Sequence, residues 1–225
     1  VTLVKVCCIA SLAEAQMALA ASANALGLVS AMPSGPGVIS DAQVASIAAA
    51  VRAAHCAAGG AAARTFLLTA RTTAASIAKQ HAAAQTTTLQ LVDHVPLDEL
   101  RQLRVLCPDV ELVQVVHVTG SASVDEAVAV APLVDALLLD SGNPAFAVKE
   151  LGGTGRTHDW EVSRRIRDAI APLPLWLAGG LRPDNVQQAI HTVRPHGLDI
   201  CSGVRRGGQL DRAALGAFMA AVRQA

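Results

Sequence analysis

Short apolar runs alternate with longer, alanine-rich helical stretches along the whole chain. The runs fall at 3–7, 25–29, 65–68, 88–91, 112–118, 136–139, 175–178 and 198–201. They are too short for helices and nearly continuous in apolar character, which fits strands covered on both faces. Strands in regular alternation with helical segments predict a parallel sheet with crossover helices. Eight is the number that closes a (β/α)8 TIM barrel, and an open doubly wound sheet is the alternative. That alternative lacks a G-x-G-x-x-G turn after the first run.

Helix starts are legible between the runs. Ser11 with Glu14, Ser40 with Gln43, and Ser123 with Glu126 have the spacing of capping boxes. Pro96 and Pro183 suit first-turn positions, where no N–H is needed. Val44, Ile47 and Val51 form an apolar stripe at helical spacing. The low-complexity patch 57–63, with Gly59-Gly60, reads as a surface loop. No linker or composition shift divides the chain, so residues 1–225 are expected to form one domain.

Composition narrows the function. Lysine plus arginine equals aspartate plus glutamate at 18 each, which argues against nucleic acid or an anionic membrane as partner. Tyrosine is absent and aromatics make up 2%, so base-stacking platforms are not expected. No apolar run reaches membrane-spanning length. Five cysteines without CxxC or Cys/His metal spacing suggest a reduced, cytoplasmic location and no metal site.

Candidate chemistry concentrates in the last third. Three glycine turns stand there, Gly152-Gly153-Thr154-Gly155, Ala178-Gly179-Gly180 and Cys201-Ser202-Gly203. Glycine lets backbone N–H groups approach an anion, and a helix start behind the turn adds a favourable dipole. The series predicts a phosphate pocket at a barrel mouth. Reactive groups in such folds sit at the C-terminal ends of strands, which here are Cys7, Ser30, Asp93, Asp140 and Ser202. Cys7 and Asp140 are the pair to weigh: a thiolate removes a proton, and a protonated carboxyl donates one. A structural thiol and a solvated carboxylate at the mouth are the plain alternatives. Lys5 lies on the same strand face as Cys7 and either favours its thiolate or pairs with a buried carboxylate.

Several of these stretches resemble phosphoribosylanthranilate isomerase of tryptophan biosynthesis. They are Lys5-Val6-Cys7, Leu138-Leu139-Asp140, Gly152 to Trp160, Leu177 to Val186 and Val193 to Val204. The resemblance runs in order over the chain and is densest after Asp140. It implies a (β/α)8 barrel and an Amadori rearrangement of a phosphoribosyl amine, an aldose-to-ketose isomerisation without metal or redox cofactor. Asp140 would protonate the furanose oxygen, and Cys7 would remove the proton at sugar C2. The phosphate would rest on Gly153, Thr154, Gly155, Gly179, Gly180, Ser202 and Gly203, with Lys5, Asp199 and Arg205 as further contacts.

Four departures from the family pattern stand out. Cys8 replaces a glycine, and Gly37 falls where an arginine would meet the anthranilate carboxylate. Gln90-Leu91-Val92-Asp93 replaces Gln-Leu-His-Gly, and Arg205 replaces a glutamate. Losing the arginine removes roughly 1.5–3 kcal/mol of charged hydrogen bonding. Arg71, Arg156, Arg182 or Arg205 are the cations available to replace it. Three readings follow: the isomerase itself, an isomerase of another phosphorylated sugar or amine adduct, and a non-catalytic phosphate-ligand barrel. A small phosphosugar is the expected partner in each. A homodimer is compatible with the alanine-rich helix faces.

Overall fold

The computed structural model describes residues 2–58, 63–142, 151, 155 and 157–225. Eight strands alternate with eight α-helices: β1 (Leu3–Val6), α1 (Leu12–Ala20), β2 (Ala25–Val29), α2 (Asp41–Ala58), β3 (Arg64–Thr69), α3 (Ala74–Ala84), β4 (Thr88–Leu91) and α4 (Leu97–Leu106) make the first half. The second half is β5 (Glu111–His117), α5 (Ser123–Val130), β6 (Ala136–Asp140), α6 (Trp160–Ile170), β7 (Leu175–Leu177), α7 (Val186–Val193), β8 (Gly197–Ile200) and α8 (Arg212–Arg223). Every neighbouring pair is parallel, and β8 returns to β1 to close the barrel. Closure excludes the open doubly wound sheet. A hairpin, β9 (Arg205–Arg206) with β10 (Gln209–Leu210), precedes α8 and was not anticipated. Its turn is Gly207-Gly208, both at positive φ, the geometry a two-residue hairpin requires.

Side-chain alternation divides each strand between two cores. Leu137 and Leu139 of β6 join the layer between sheet and helices, while Ala136 and Leu138 fill the barrel interior. Continuing by twos from Ala136 and Leu138 brings Asp140 to the inner face at the mouth. The same parity turns Lys5 and Cys7 inward from β1 and Asp199 inward from β8. Phe66 and Trp176 plug the interior edge to face, with ring centroids 5.6 Å apart.

The helix starts divide into three cases. Ser40 and Gln43 make the reciprocal capping box, at 3.2 and 3.1 Å. Ser11 caps the N–H of Glu14, but the Glu14 carboxylate accepts from Ala10 instead of Ser11. Ser123 forms no box: it is the first residue of α5, and its hydroxyl donates to the carbonyl of His117. Pro96 is the cap of α4 itself, and Pro183 precedes α7, whose cap is Asn185. Within the patch 57–63, Ala57 and Ala58 belong to α2, and 59–62 lie outside the described residues.

Candidate active site

At the C-terminal mouth of the barrel, a cleft of about 650 Å³ is lined by Cys7, Cys8, Gln90, Asp140, Asp199 and Cys201 among others. Gly155, Gly179, Gly180 and Ser202 line it too. The thiol that follows the first strand and the carboxyl that ends the sixth thus line one cleft. The mouth of the main chain's parallel sheet is where barrel sites form, because eight strand ends converge there.

Lys5 organises the floor. Strand pairing sets it opposite Asp199, and its ammonium lies 2.7 Å from the Asp199 carboxylate and 2.8 Å from Gln90 Oε1. It is fully buried, 5.1 Å from the centre of the Phe66 ring. Burial alone would push its pKa down, but the Asp199 carboxylate and the neighbouring thiols outweigh it and hold the ammonium above its ordinary range. The same ammonium stands 3.8 Å from Cys7 Sγ. Negative charge forming on that sulfur therefore faces a buried cation. Of the two roles open for Lys5 in the sequence, the pairing with a buried carboxylate is seen, and the same ammonium lies beside the sulfur.

Asp140 lies in the opposite kind of environment. Removal from water pushes its carboxyl pKa up, and the charge of Asp199 pushes the same way. The Ser141 N–H, bonded at 2.7 Å, and the charges of His117 and Lys5 oppose without reversing the shift. A carboxyl so placed holds its proton to higher pH than an exposed aspartate would. Asp199 offers a second kind of contact. Its Oδ2 is taken by Lys5, while Oδ1 is buried with no partner on a residue that lines the cleft. Such an oxygen fits a ligand hydroxyl.

The glycine turns reach the cleft unequally. Gly179 takes φ +85°, and a Cβ there would stand 3.0 Å from His158 Nδ1 and 3.1 Å from Ser141 Oγ. Only a residue without a side chain lets that backbone sit beside β6. Gly203 packs against the backbone of Leu181 outside the cleft. Gly153 and Thr154 lie outside the described residues. Ser30 and Asp93 do not line the cleft; the Ser30 hydroxyl donates to Leu68 and Asp93 Oδ1 accepts from the His94 N–H. Arg205 stands behind the wall, not in it. It pairs with Glu14 at 3.0 Å and donates to the carbonyls of Cys7 and Cys8, tying the β8 side to the loop after β1.

Three contacts around the site join residues whose pairing is not legible in the sequence. His158 touches the Gly179 turn, and its Nε2 pairs with Ser163 Oγ at 2.8 Å. Burial lowers its pKa to about 4 against the weaker pull of Asp159, so the ring is neutral near pH 7. Gly37, at φ +76°, meets Cys8: a Cβ on it would stand 2.5 Å from the Cys8 Cβ. The two departures from the family pattern are therefore one contact. Cys8 occupies the space that a side chain at position 37 would need. Finally, Cys8 and Cys201 bring their sulfurs to 2.7 Å. Among the described residues no cluster of histidine, cysteine and acidic side chains suits a metal ion.

The fold and site define a (β/α)8 barrel protein in which Cys7, Asp140, Gly155, Gly179 and Gly180 line one cleft at the C-terminal mouth. A family model described as N-(5'-phosphoribosyl)anthranilate (PRA) isomerase matches residues 4–221. The chain belongs to the N-(5'-phosphoribosyl)anthranilate isomerase family. It is 44% identical over 138 residues to N-(5'-phosphoribosyl)anthranilate isomerase of Haloferax volcanii, covering 61% of this chain and 58% of that one. Matches to such curated relatives thus span less than two thirds of their length. Phosphoribosyl anthranilate isomerase from Thermotoga maritima superposes with a TM-score of 0.81 at 24% identity, covering both chains fully. A structure of phosphoribosyl anthranilate isomerase in complex with reduced 1-(o-carboxyphenylamino)-1-deoxyribulose 5-phosphate superposes at 0.78 and 22% identity, again over both whole chains. At those identities the superpositions speak for the fold. No helix among the described residues is long and apolar enough to cross a membrane.

Proposed function

We propose that this chain catalyses the Amadori rearrangement of N-(5'-phosphoribosyl)anthranilate, the reaction for which its family is named. The observation that carries the reading is the cleft shared by Cys7 and Asp140, with Lys5 against the sulfur and the carboxyl pKa raised. Asp140 gives its proton to the furanose oxygen as the C1–O bond breaks, leaving an iminium. Cys7, as thiolate, takes the proton from C2, and the electron pair of that C–H bond neutralises the iminium to an enolamine. Tautomerisation to the ketone completes a redox-neutral isomerisation. Asp199 Oδ1 accepts from a ribose hydroxyl, and N–H groups of Gly155, Gly180 and Ser202 face the phosphate. Gly153, Thr154 and Gly179 belong to the same cradle, while Gly203 supports it through its packing. Arg205 acts by holding the Cys7–Cys8 carbonyls.

The test is the loss of anthranilate-type fluorescence when the purified chain meets the substrate. Saturable turnover, cut roughly 100-fold or more by Cys7→Ser and by Asp140→Asn, is expected. Absence of turnover at every substrate concentration would remove the assignment. A second reading, another amine on the same sugar phosphate, is favoured by the contact of Gly37 with Cys8. Among the described residues lining the cleft there is no arginine for the anthranilate carboxylate. Calorimetry separates the two: anthranilate-bearing ligands binding no better than ribose 5-phosphate would favour the second. A homodimer is part of the proposal, and sedimentation velocity tests it.

A further inference from the structure

The mouth of the cleft holds a pair of thiols that the isomerisation does not use. Cys8 follows β1, Cys201 follows β8, and their sulfurs are 2.7 Å apart. Both are unbridged and both line the cleft. Barrel closure creates the pair: the Cys7 N–H donates to the Ile200 carbonyl at 2.8 Å, so the two chains leave the sheet side by side. Cys8 takes φ +62°, a conformation that suits glycine, and Gly37 packs against its Cβ. That backbone aims the Cys8 side chain at its partner. Cys201 is partly exposed, so a small reagent reaches it through the mouth.

We propose that Cys8 and Cys201 form a reversible thiol–disulfide site whose oxidant is a low-molecular-weight disulfide, and that closing the bond switches the cleft off. The charges favour one order of events. The Cys201 pKa is lowered by its hydrogen bond with Cys8 and, against burial, by the Arg205 charge, whereas the Cys8 pKa is raised by its bonds to Cys201 and Cys7 and by burial. The Cys201 thiolate attacks one sulfur of the oxidant, whose other half leaves as a thiolate and takes up the proton of Cys8. Cys8 then attacks the Cys201 sulfur and expels the second thiolate. Two electrons pass from the protein pair to the reagent, which departs as two thiols once its second half is protonated from solvent. Cys107, lone and buried at the end of α4, has no such partner and serves as internal control.

Bond formation shortens the sulfur separation to about 2.05 Å. Cys7 precedes Cys8 and Ser202 follows Cys201, so both move with the closing pair. The bond pins the loop after β1 to the loop after β8, so the backbones beside Cys7 and Ser202 lose the freedom to settle around a ligand in the cleft they line. The effect on turnover rests on the function proposed above; the bond itself does not.

The intact chain is equilibrated in glutathione buffers from fully reduced to fully oxidised, alkylated and digested without reductant. The expected result is one cross-linked peptide pair carrying Cys8 and Cys201, two hydrogens lighter than the separate peptides, with Cys107 still alkylated. Turnover is expected to fall at least about tenfold, in line with a misplaced catalytic group, and to return with dithiothreitol. Cys201→Ser and, separately, Cys8→Gly should leave turnover indifferent to the buffer. Cys8 and Cys201 both alkylated in the oxidised buffer would overturn the site, as would a bond through Cys7. A Cys8–Cys201 bond with unchanged turnover in an active enzyme would overturn the switch. If the chain turns nothing over, the cross-link alone decides the site, and the failure belongs to the proposed function.

Discussion

At the residue scale, two groups with ordinary chemistry are given opposite environments within one cleft. Cys7 faces a buried ammonium 3.8 Å away, and Asp140, partly exposed at the mouth, has its carboxyl pKa raised by desolvation and by the charge of Asp199. Cys7→Ser and Asp140→Asn should each reduce kcat by roughly 100-fold or more while the chain stays folded, the usual scale for a positioned acid or base. The raised pKa of Asp140 has a sign for stability as well. Because the folded chain binds that proton more tightly than the unfolded one, the contribution is complete below the unfolded value of about 4 and is lost as pH rises through the folded value. Denaturant midpoints compared at pH 5 and pH 8 should therefore show Asp140→Asn gaining on the parent at the higher pH. A parallel loss in both proteins would contradict the assigned shift. His158 acts on the acid side. Its pKa falls from 6.5 to about 4, so the folded state loses up to about 3 kcal/mol as pH drops across that window. His158→Gln keeps a partner for Ser163 and should flatten that limb.

At the element scale, the loops after β1, β2 and β8 behave as one unit. Glu14 on α1 and Arg205 in the hairpin form an ion pair that is almost wholly buried, at 3.0 Å, and the guanidinium carries the Cys7 and Cys8 carbonyls. Burial would raise the Glu14 pKa, but Arg205 and the N–H groups of Ala10 and Leu210 hold it below the usual range. Glu14→Ala leaves the guanidinium without its counter-charge and should cost about 3 kcal/mol in a denaturant titration. Gly37→Ala places a methyl against Cys8 at a positive φ and should cost roughly 1–3 kcal/mol. The double variant Cys8→Gly with Gly37→Ala should recover part of that loss, since the clash partner is gone. Equal losses in the single and double variants would show that the two positions do not compete for one space.

At the scale of the whole molecule, what could be read in the sequence depended on how local its cause was. The eight strands follow from short apolar runs, and the inward turn of Cys7, Asp140 and Asp199 follows from alternation along three of them. The capping box at Ser40 is a four-residue matter and formed as expected. Ser123 offered the same spacing, but the carbonyl of His117 took its hydroxyl, a partner set by the neighbouring strand. The Gly207-Gly208 turn was present as a signal for the hairpin that delivers Arg205. The contacts that give the cleft its character join residues far apart in sequence: Lys5 with Asp199, Glu14 with Arg205, Cys8 with Cys201. Only barrel closure brings them together, and no window along the chain contains both partners. Gly37 and Cys8 looked like separate departures for the same reason.

The central claim is that a thiol and a carboxyl converge on one bound phosphosugar. A crystal structure with the reduced product analogue in the cleft tests it most directly. The account predicts the phosphate on amides near Gly155, Gly180 and Ser202, and sugar C2 about 3–3.5 Å from Cys7 Sγ, the span of a productive contact. A ligand anchored elsewhere on the molecule, or one whose C2 faces away from that sulfur, would contradict it.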